Sequence, residues 1–178
     1  MKKRLLGALG AMTLCLLLLC GCGKEETATP SQKLGNNDPA NLTATTLTLT
    51  GATAKAGDTV ELQLSVEESS DLWGFSWEVH YDDTVLTSVS AAASDAYLAN
   101  FEMDVTSNVN PLIVQGAGRE IQNYEMTGTV ATLTFRVADN AAPGEYAVNV
   151  GCKEGNNIDV DSQEIPFTPV TAIVKVEA

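Results

Sequence analysis

From Thr45 to Ala178 apolar and polar residues alternate almost continuously, and Gly, Pro, Asn and Asp punctuate the alternation. A period of two sends successive side chains to opposite faces of a strand, so the pattern predicts an all-β domain. "TTLTLTGATA" opens it. In "TVELQLSV", Val60, Leu62, Leu64 and Val66 share one face against Glu61, Gln63 and Ser65. In "GFSWEVHYD", Phe75, Trp77, Val79 and Tyr81 oppose Ser76, Glu78 and His80, and an Asp82-Asp83 turn leads into "TVLTSVSAA". The middle is less regular: "SDAYLANF" could form a helical turn, "YLANFEMDVTS" precedes "PLIVQGAG", and the phase over residues 111–116 stays open. "GTVATLTFRV" sets Val130, Thr132, Thr134 and Arg136 against Ala131, Leu133, Phe135 and Val137. A strand carrying Tyr146, Val148 and Val150 follows a Pro143-Gly144 turn, and "VTAIVKVEA" closes the series. Eight or nine strands of this kind need a second sheet to bury each apolar face, which makes a two-sheet sandwich the economical arrangement.

The segment ahead of this domain reads differently. "MKKRLLGALGAMTLCLLLLCGC" has a basic start and an uncharged apolar run, the layout of an export signal. Within it, Leu19-Cys20-Gly21-Cys22 resembles the bacterial lipobox, in which a small residue precedes a cysteine that is lipidated. Cys22, behind Gly21, fits better than Cys20, behind the bulky Leu19. The expected organisation is a signal over 1–21, a flexible tether over 22–44 and a single domain over 45–178. The tether is rich in Thr, Asn, Pro and charge, and a coil of about 20 residues spans on the order of 25 Å. The domain would then sit outside the cytoplasm, lipid-anchored to the cell membrane.

Removing the signal takes three of the ten basic residues and none of the 23 acidic ones, leaving a net charge of −16. Such a surface repels nucleic acid and anionic headgroups. Of four cysteines only Cys152 lies beyond Cys22. That excludes an intrachain disulfide or a cysteine metal cluster in the mature domain, so the fold must rest on an ordinary core, with Cys152 expected inside it.

Three chemistries are open to these residues. A hydrolase would join His80 to a nearby serine and one of Asp82 and Asp83, but the face that His80 and Asp82 share, with Ser76 and Glu78, is the outward face of an open sheet, and no G-x-S-x-G motif is present. A calcium loop could use Asn157, Asp159, Asp161 and Glu164 of "GNNIDVDSQE", yet the spacing lacks the central glycine and terminal bidentate glutamate, and a solvated acidic loop is the plainer expectation. A sugar-binding platform would need a row of exposed aromatics. Phe75, Trp77, Tyr81, Phe135 and Tyr146 fall on inward positions, leaving Trp73, Tyr97, Phe101 and Tyr124 of uncertain facing. The expectation is a protein that is not an enzyme and needs no metal or cofactor.

The order of four stretches resembles a cohesin domain, the dockerin-binding module of cellulosome-type assemblies. "AKAGDTVELQLSV" is similar to the family's opening turn and strand. "GFSWEVHYDDTVLTSVSAA" is similar to its most recognisable stretch, "GTVATLTFRVADNAAPGEYAVNV" to its later segment, and "EIPFTPVTAIVKV" to its closing strand. Asp83 stands where the family often has proline. The resemblance implies a nine-stranded jelly-roll β-sandwich that binds a dockerin helix pair on one open sheet face. It implies a non-catalytic adaptor holding dockerin-bearing proteins, such as carbohydrate-active enzymes, at the cell surface. Carried onto this chain, the contacts are Ser76, Glu78 and His80, with Leu112 and Val114 either contacts or core. The alternative is a carbohydrate-binding or adhesive β-sandwich lipoprotein whose partner is a polysaccharide.

Overall fold

The computed structural model describes residues 44–178. The expected signal, Cys22 and nearly all of the tether lie outside the described residues. The chain runs β1 (Thr45–Leu49), β2 (Ala52–Lys55), β3 (Thr59–Leu72), β4 (Gly74–His80), β5 (Leu86–Ala93), α1 (Asp95–Leu98), β6 (Phe101–Val105), β7 (Leu112–Gly118), β8 (Tyr124–Val137), β9 (Gly144–Ile158), β10 (Phe167–Thr168) and β11 (Val170–Glu177). One sheet has the order β10-β1-β3-β8-β5, the other β2-β11-β9-β4-β7-β6. Most successive strands change sheet, which is the winding of a jelly-roll sandwich.

Eleven strands stand where nine were expected, because two elements are split. "TTLTLTGATA" breaks at Thr50-Gly51: β1 pairs with β3 in one sheet, while β2 crosses to lie parallel to β11 in the other. Gly51 is needed at the crossing, since a Cβ there would sit 2.8 Å from the carbonyl oxygen of Ile173. At the other end Pro169, which has no N–H for a ladder, separates β10 from β11.

The expected inward faces meet between the sheets. Leu62, Leu64, Trp77, Val79, Leu133 and Phe135 are wholly buried, and full burial of such a side chain contributes about 1.5–3 kcal/mol. The rings of Phe75 and Trp77, two residues apart on β4, stack with centroids 4.2 Å apart. The four aromatics of uncertain facing join this core. Tyr97, Phe101 and Tyr124 are buried, and Trp73 packs on the cluster with its indole N–H donated to the Glu120 carbonyl at 3.0 Å. Those rings are therefore not arrayed as a sugar-stacking platform.

One polar cluster crosses the core. Asn157 accepts the indole N–H of Trp77 at 3.3 Å and donates to Thr45 Oγ1 and the Ile165 carbonyl, each at 3.0 Å. Thr45 in turn is 2.9 Å from Ser69 Oγ. The cluster links β4 and β9 of one sheet to β1 and β3 of the other.

Candidate docking face

The face begins with β4. Asp82 ends this strand by using its Oδ1 to accept both the backbone N–H and the hydroxyl of Thr84, at 2.9 and 2.6 Å. These bonds, the hydroxyl's first, hold the Asp82 carboxyl below the usual carboxylate range. Asp82 thus shapes the turn, while the His80 ring turns the other way, Nε2 3.2 Å from Glu78 Oε2. His80 and Asp82, which a hydrolase would join, are divided between these two jobs.

Since Phe75, Trp77 and Val79 are buried, Ser76, Glu78 and His80 point out of the sandwich, as alternation predicted. The strands beside β4 are β7 and β9. Antiparallel pairing puts directly opposed residues on one face. On the β7 side, Trp77 opposes Val114 and Val79 opposes Leu112, so Leu112 and Val114 go inward and are wholly buried. This corrects their placement among the contacts. The outward residues of β7 are Ile113, opposite Glu78, and Gln115, opposite Ser76. On the β9 side, Gly151 opposes Glu78 and Asn149 opposes His80.

A break in this register brings a close charge contact to the face. Trp77 pairs with Cys152 but Phe75 pairs with Asn157, so residues 153–156 of β9 bulge away from β4. Gly155 adopts φ +76° there, a left-handed conformation that glycine takes without a steric penalty. From the bulge Lys153 Nζ reaches Glu78 Oε1 at 2.5 Å. Glu78 is thereby flanked by two basic groups, and the Lys153 ammonium, more than His80, draws its carboxyl below the ordinary value despite partial burial.

Lys153, Ile113, Gln115, Asn149 and Gly151 were missed from the sequence. Lys153 offered a faint signal, being a rare cation in a strongly acidic domain. Cys152 beside it is half-buried rather than fully inside, its thiol donating weakly to the carbonyls of Ser76 and Lys153 at 3.6 and 3.4 Å.

The oxygen-rich stretch near the end of β9 is only in part the solvated loop expected: Asp161 and Glu164 are exposed, but its other two oxygen donors are not. Asn157 and Asp159 are 1% exposed. Asp159 Oδ1 accepts the backbone N–H groups of Asp161 and Gln163 at 2.9 and 2.8 Å, and Glu164 Oε1 accepts that of Gly155 at 3.1 Å. These oxygens close the loop on itself. Among the described residues no group of three His, Cys, Asp or Glu side chains is placed to hold a metal ion.

What results is a sheet face with a charged centre, Lys153–Glu78–His80, bordered by the half-buried Ile113, the partly exposed Ile173 and neutral polar groups. Such a surface suits a second protein better than a small substrate. Solved structures share the fold. The OlpA cohesin of Clostridium thermocellum, solved in complex with a dockerin, superposes with a TM-score of 0.60 at 16% identity, covering 76% of this chain and 100% of that one. The sixth cohesin of scaffoldin B from Acetivibrio cellulolyticus, also solved with a dockerin, gives 0.59 at 20% identity, over 76% and 100%. A non-cellulosomal cohesin from the archaeon Archaeoglobus fulgidus gives 0.60 at 16% identity, over 76% and 93%. A search of curated proteins found no match. The sequence profile of the cohesin domain matches residues 45–165, well over half of the chain, and with the jelly-roll sandwich this settles the family: the chain belongs to the cohesin domain family.

Proposed function

We propose that the protein is a non-catalytic adaptor that captures dockerin-bearing proteins on the outward face of β4, β7 and β9. The observation that carries this reading is the row Ser76, Glu78 and His80, which alternation turns away from the core onto an open sheet in a cohesin-family chain. Ile113 and Gln115 extend the face across β7. A surface of this kind buries on the order of 800 Å² per partner without leaving a large apolar patch when free. The partners are carbohydrate-active enzymes or other dockerin-bearing proteins, and the site of action is the cell surface, where lipidation at Cys22 holds the domain on its tether.

A pull-down with residues 40–178 tests the docking reading. Dockerin-containing proteins are expected to be retained, and retention is expected to fail in the Glu78→Arg/His80→Ala double variant. Retention by insoluble polysaccharide instead, unchanged in that variant, would favour an adhesive lipoprotein. The anchor is tested separately: Cys22→Ser should release the protein from the membrane, and unchanged membrane retention would count against lipidation there.

A further inference from the structure

Both oxygens of the Glu78 carboxylate are taken by its own chain. Lys153 Nζ lies 2.5 Å from Oε1, and His80 Nε2 lies 3.2 Å from Oε2. The Glu78 side chain is only 17% exposed, against 69% for Lys153 and 53% for His80. What the centre of the face exposes is therefore mostly the two basic side chains, not the carboxylate between them.

The β9 bulge keeps Lys153 there. Residues 153–156 stand where regular pairing with Ser76 would leave room for one. The bulge is closed by the Gly155 N–H, which donates to Glu164 Oε1 at 3.1 Å, and the Lys153 carbonyl accepts the Cys152 thiol at 3.4 Å. With its backbone held, Lys153 stays within reach of Glu78 even when its ammonium swings away. The ground on either side is uncharged. Gly151, opposite Glu78 on β9, has nothing within 4 Å of the position a Cβ would take, and the residue opposite Glu78 on β7 is the half-buried Ile113. Gln115 and Asn149 are the next outward neighbours, opposite Ser76 and His80.

We infer that Lys153 sets the specificity of the docking face: it holds, from within the chain, the place beside Glu78 that a partner's cation would take, so the face accepts an uncharged side chain over Gly151 and Ile113 and rejects lysine or arginine there. The inference rests on the docking reading above. An incoming ammonium or guanidinium has to displace Lys153 from Glu78 and then remain beside it. Two like charges held together in an interface that has lost its water repel far more strongly than in solution. An uncharged side chain meets no such repulsion, leaves the Lys153–Glu78 pair intact and buries apolar surface against Ile113. The difference between the two affinities is the specificity.

The experiment uses the full chain and a panel of recombinant dockerins, including those of the solved complexes, with affinities measured by calorimetry. A dockerin that binds the parent chain, and whose binding is lost in Glu78→Arg/His80→Ala, is scanned with lysine along its helices. At one position lysine is expected to weaken binding to the parent on the order of tenfold, and Lys153→Ala to recover most of that loss. For the unscanned dockerin the same variant should change affinity by less than about twofold. Lys175→Ala removes an equal charge from β11 of the same sheet and should recover nothing, which separates a local clash from the net charge of the domain. A gain of binding cannot come from misfolding. Tolerance of lysine at every position, recovery absent from Lys153→Ala, or recovery equal in the two variants would overturn the specificity role and leave the docking face standing. Failure of every dockerin to bind the parent chain, or binding untouched in Glu78→Arg/His80→Ala, would overturn both.

Discussion

Lys153, carried on the β9 bulge, closes on Glu78 of β4 with 2.5 Å between Nζ and Oε1. The contact lies at the centre of the proposed docking face, and it has a pH signature. The folded state holds the Glu78 carboxyl below its ordinary value of 4.5, first through Lys153. A lowered folded value means that the ionised form is favoured by folding. The stabilisation is therefore complete above about pH 4.5 and is lost as pH falls through the lowered folded value. Lys153 is largely exposed, so the gain is that of a surface pair, well under 1 kcal/mol. An NMR titration of the Glu78 side chain should show a midpoint below 4.5 that Lys153→Ala moves upward. A midpoint unmoved by the substitution would mean the pair is not populated in solution.

Asn157 should prove costly to replace although it is polar. In Asn157→Ala the buried indole N–H of Trp77 loses its acceptor, and Thr45 and Ile165 lose a donor. An orphaned buried donor costs about 1–3 kcal/mol. The urea midpoint should fall by a corresponding amount at unchanged slope. A midpoint within error of the parent would show that the cluster is ornamental to stability.

How much of this was legible in the sequence depends on what each residue needs to know about its neighbours. On β4 and over residues 131–137 of β8 alternation sufficed: Trp77 and Phe135 had to face inward, Glu78 and His80 outward; Val130, expected on the polar face, is wholly buried, because the β3–β8 register shifts between Ala131 and Thr129. On β7 it did not, because Leu112, Ile113 and Val114 are three apolar residues in a row and carry no phase of their own. Only pairing with β4 decides that Ile113 is the outward one. Asn157 was opaque for a similar reason. A polar residue reads as solvated until the tertiary fold brings a tryptophan N–H in need of an acceptor. The β9 bulge, which delivers Lys153, depends on a register shift between two strands that sequence spacing does not encode.

The corrected parity of β7 can be tested directly. Leu112→Ala removes a wholly buried side chain and should cost about 2–5 kcal/mol, read as a lower melting temperature. Ile113→Ala, on the outward face, should change stability little and weaken capture of the dockerin partner. The opposite pattern would restore Leu112 to the docking face.

Two glycines should respond in opposite directions to the same substitution. In Gly51→Ala the new Cβ meets the backbone oxygen of Ile173 at 2.8 Å, and backbone on both sides cannot yield cheaply. A loss of about 1–3 kcal/mol is expected. At Gly151 a Cβ meets nothing within 4 Å, so Gly151→Ala should be neutral or stabilise by up to about 1 kcal/mol through the unfolded chain. Because Gly151 lies opposite Glu78, a bulkier replacement such as Gly151→Leu should leave the melting temperature near that of the parent while obstructing the partner. Calorimetric scans of the three variants beside the pull-down separate the two effects.

Cys152 gives the last test. Burial, then the nearby carboxylates of Glu164 and Glu78, push its thiol from an ordinary 9.0 up to about 11. The thiolate is the reactive form, so the folded chain should react with iodoacetamide on the order of a hundredfold more slowly at neutral pH than the denatured chain. Peptide mass spectrometry reads Cys152 separately from the cysteines near the N-terminus. The same shift works on stability: the unfolded thiol ionises near 9 and the folded one near 11, so the protonated form is favoured by folding. Its contribution is complete below about pH 9 and is lost as pH rises toward 11, which predicts a melting temperature falling over that window less steeply in Cys152→Ala than in the parent. Fast alkylation of the folded chain at neutral pH would show instead that the thiol opens to solvent beside the docking face.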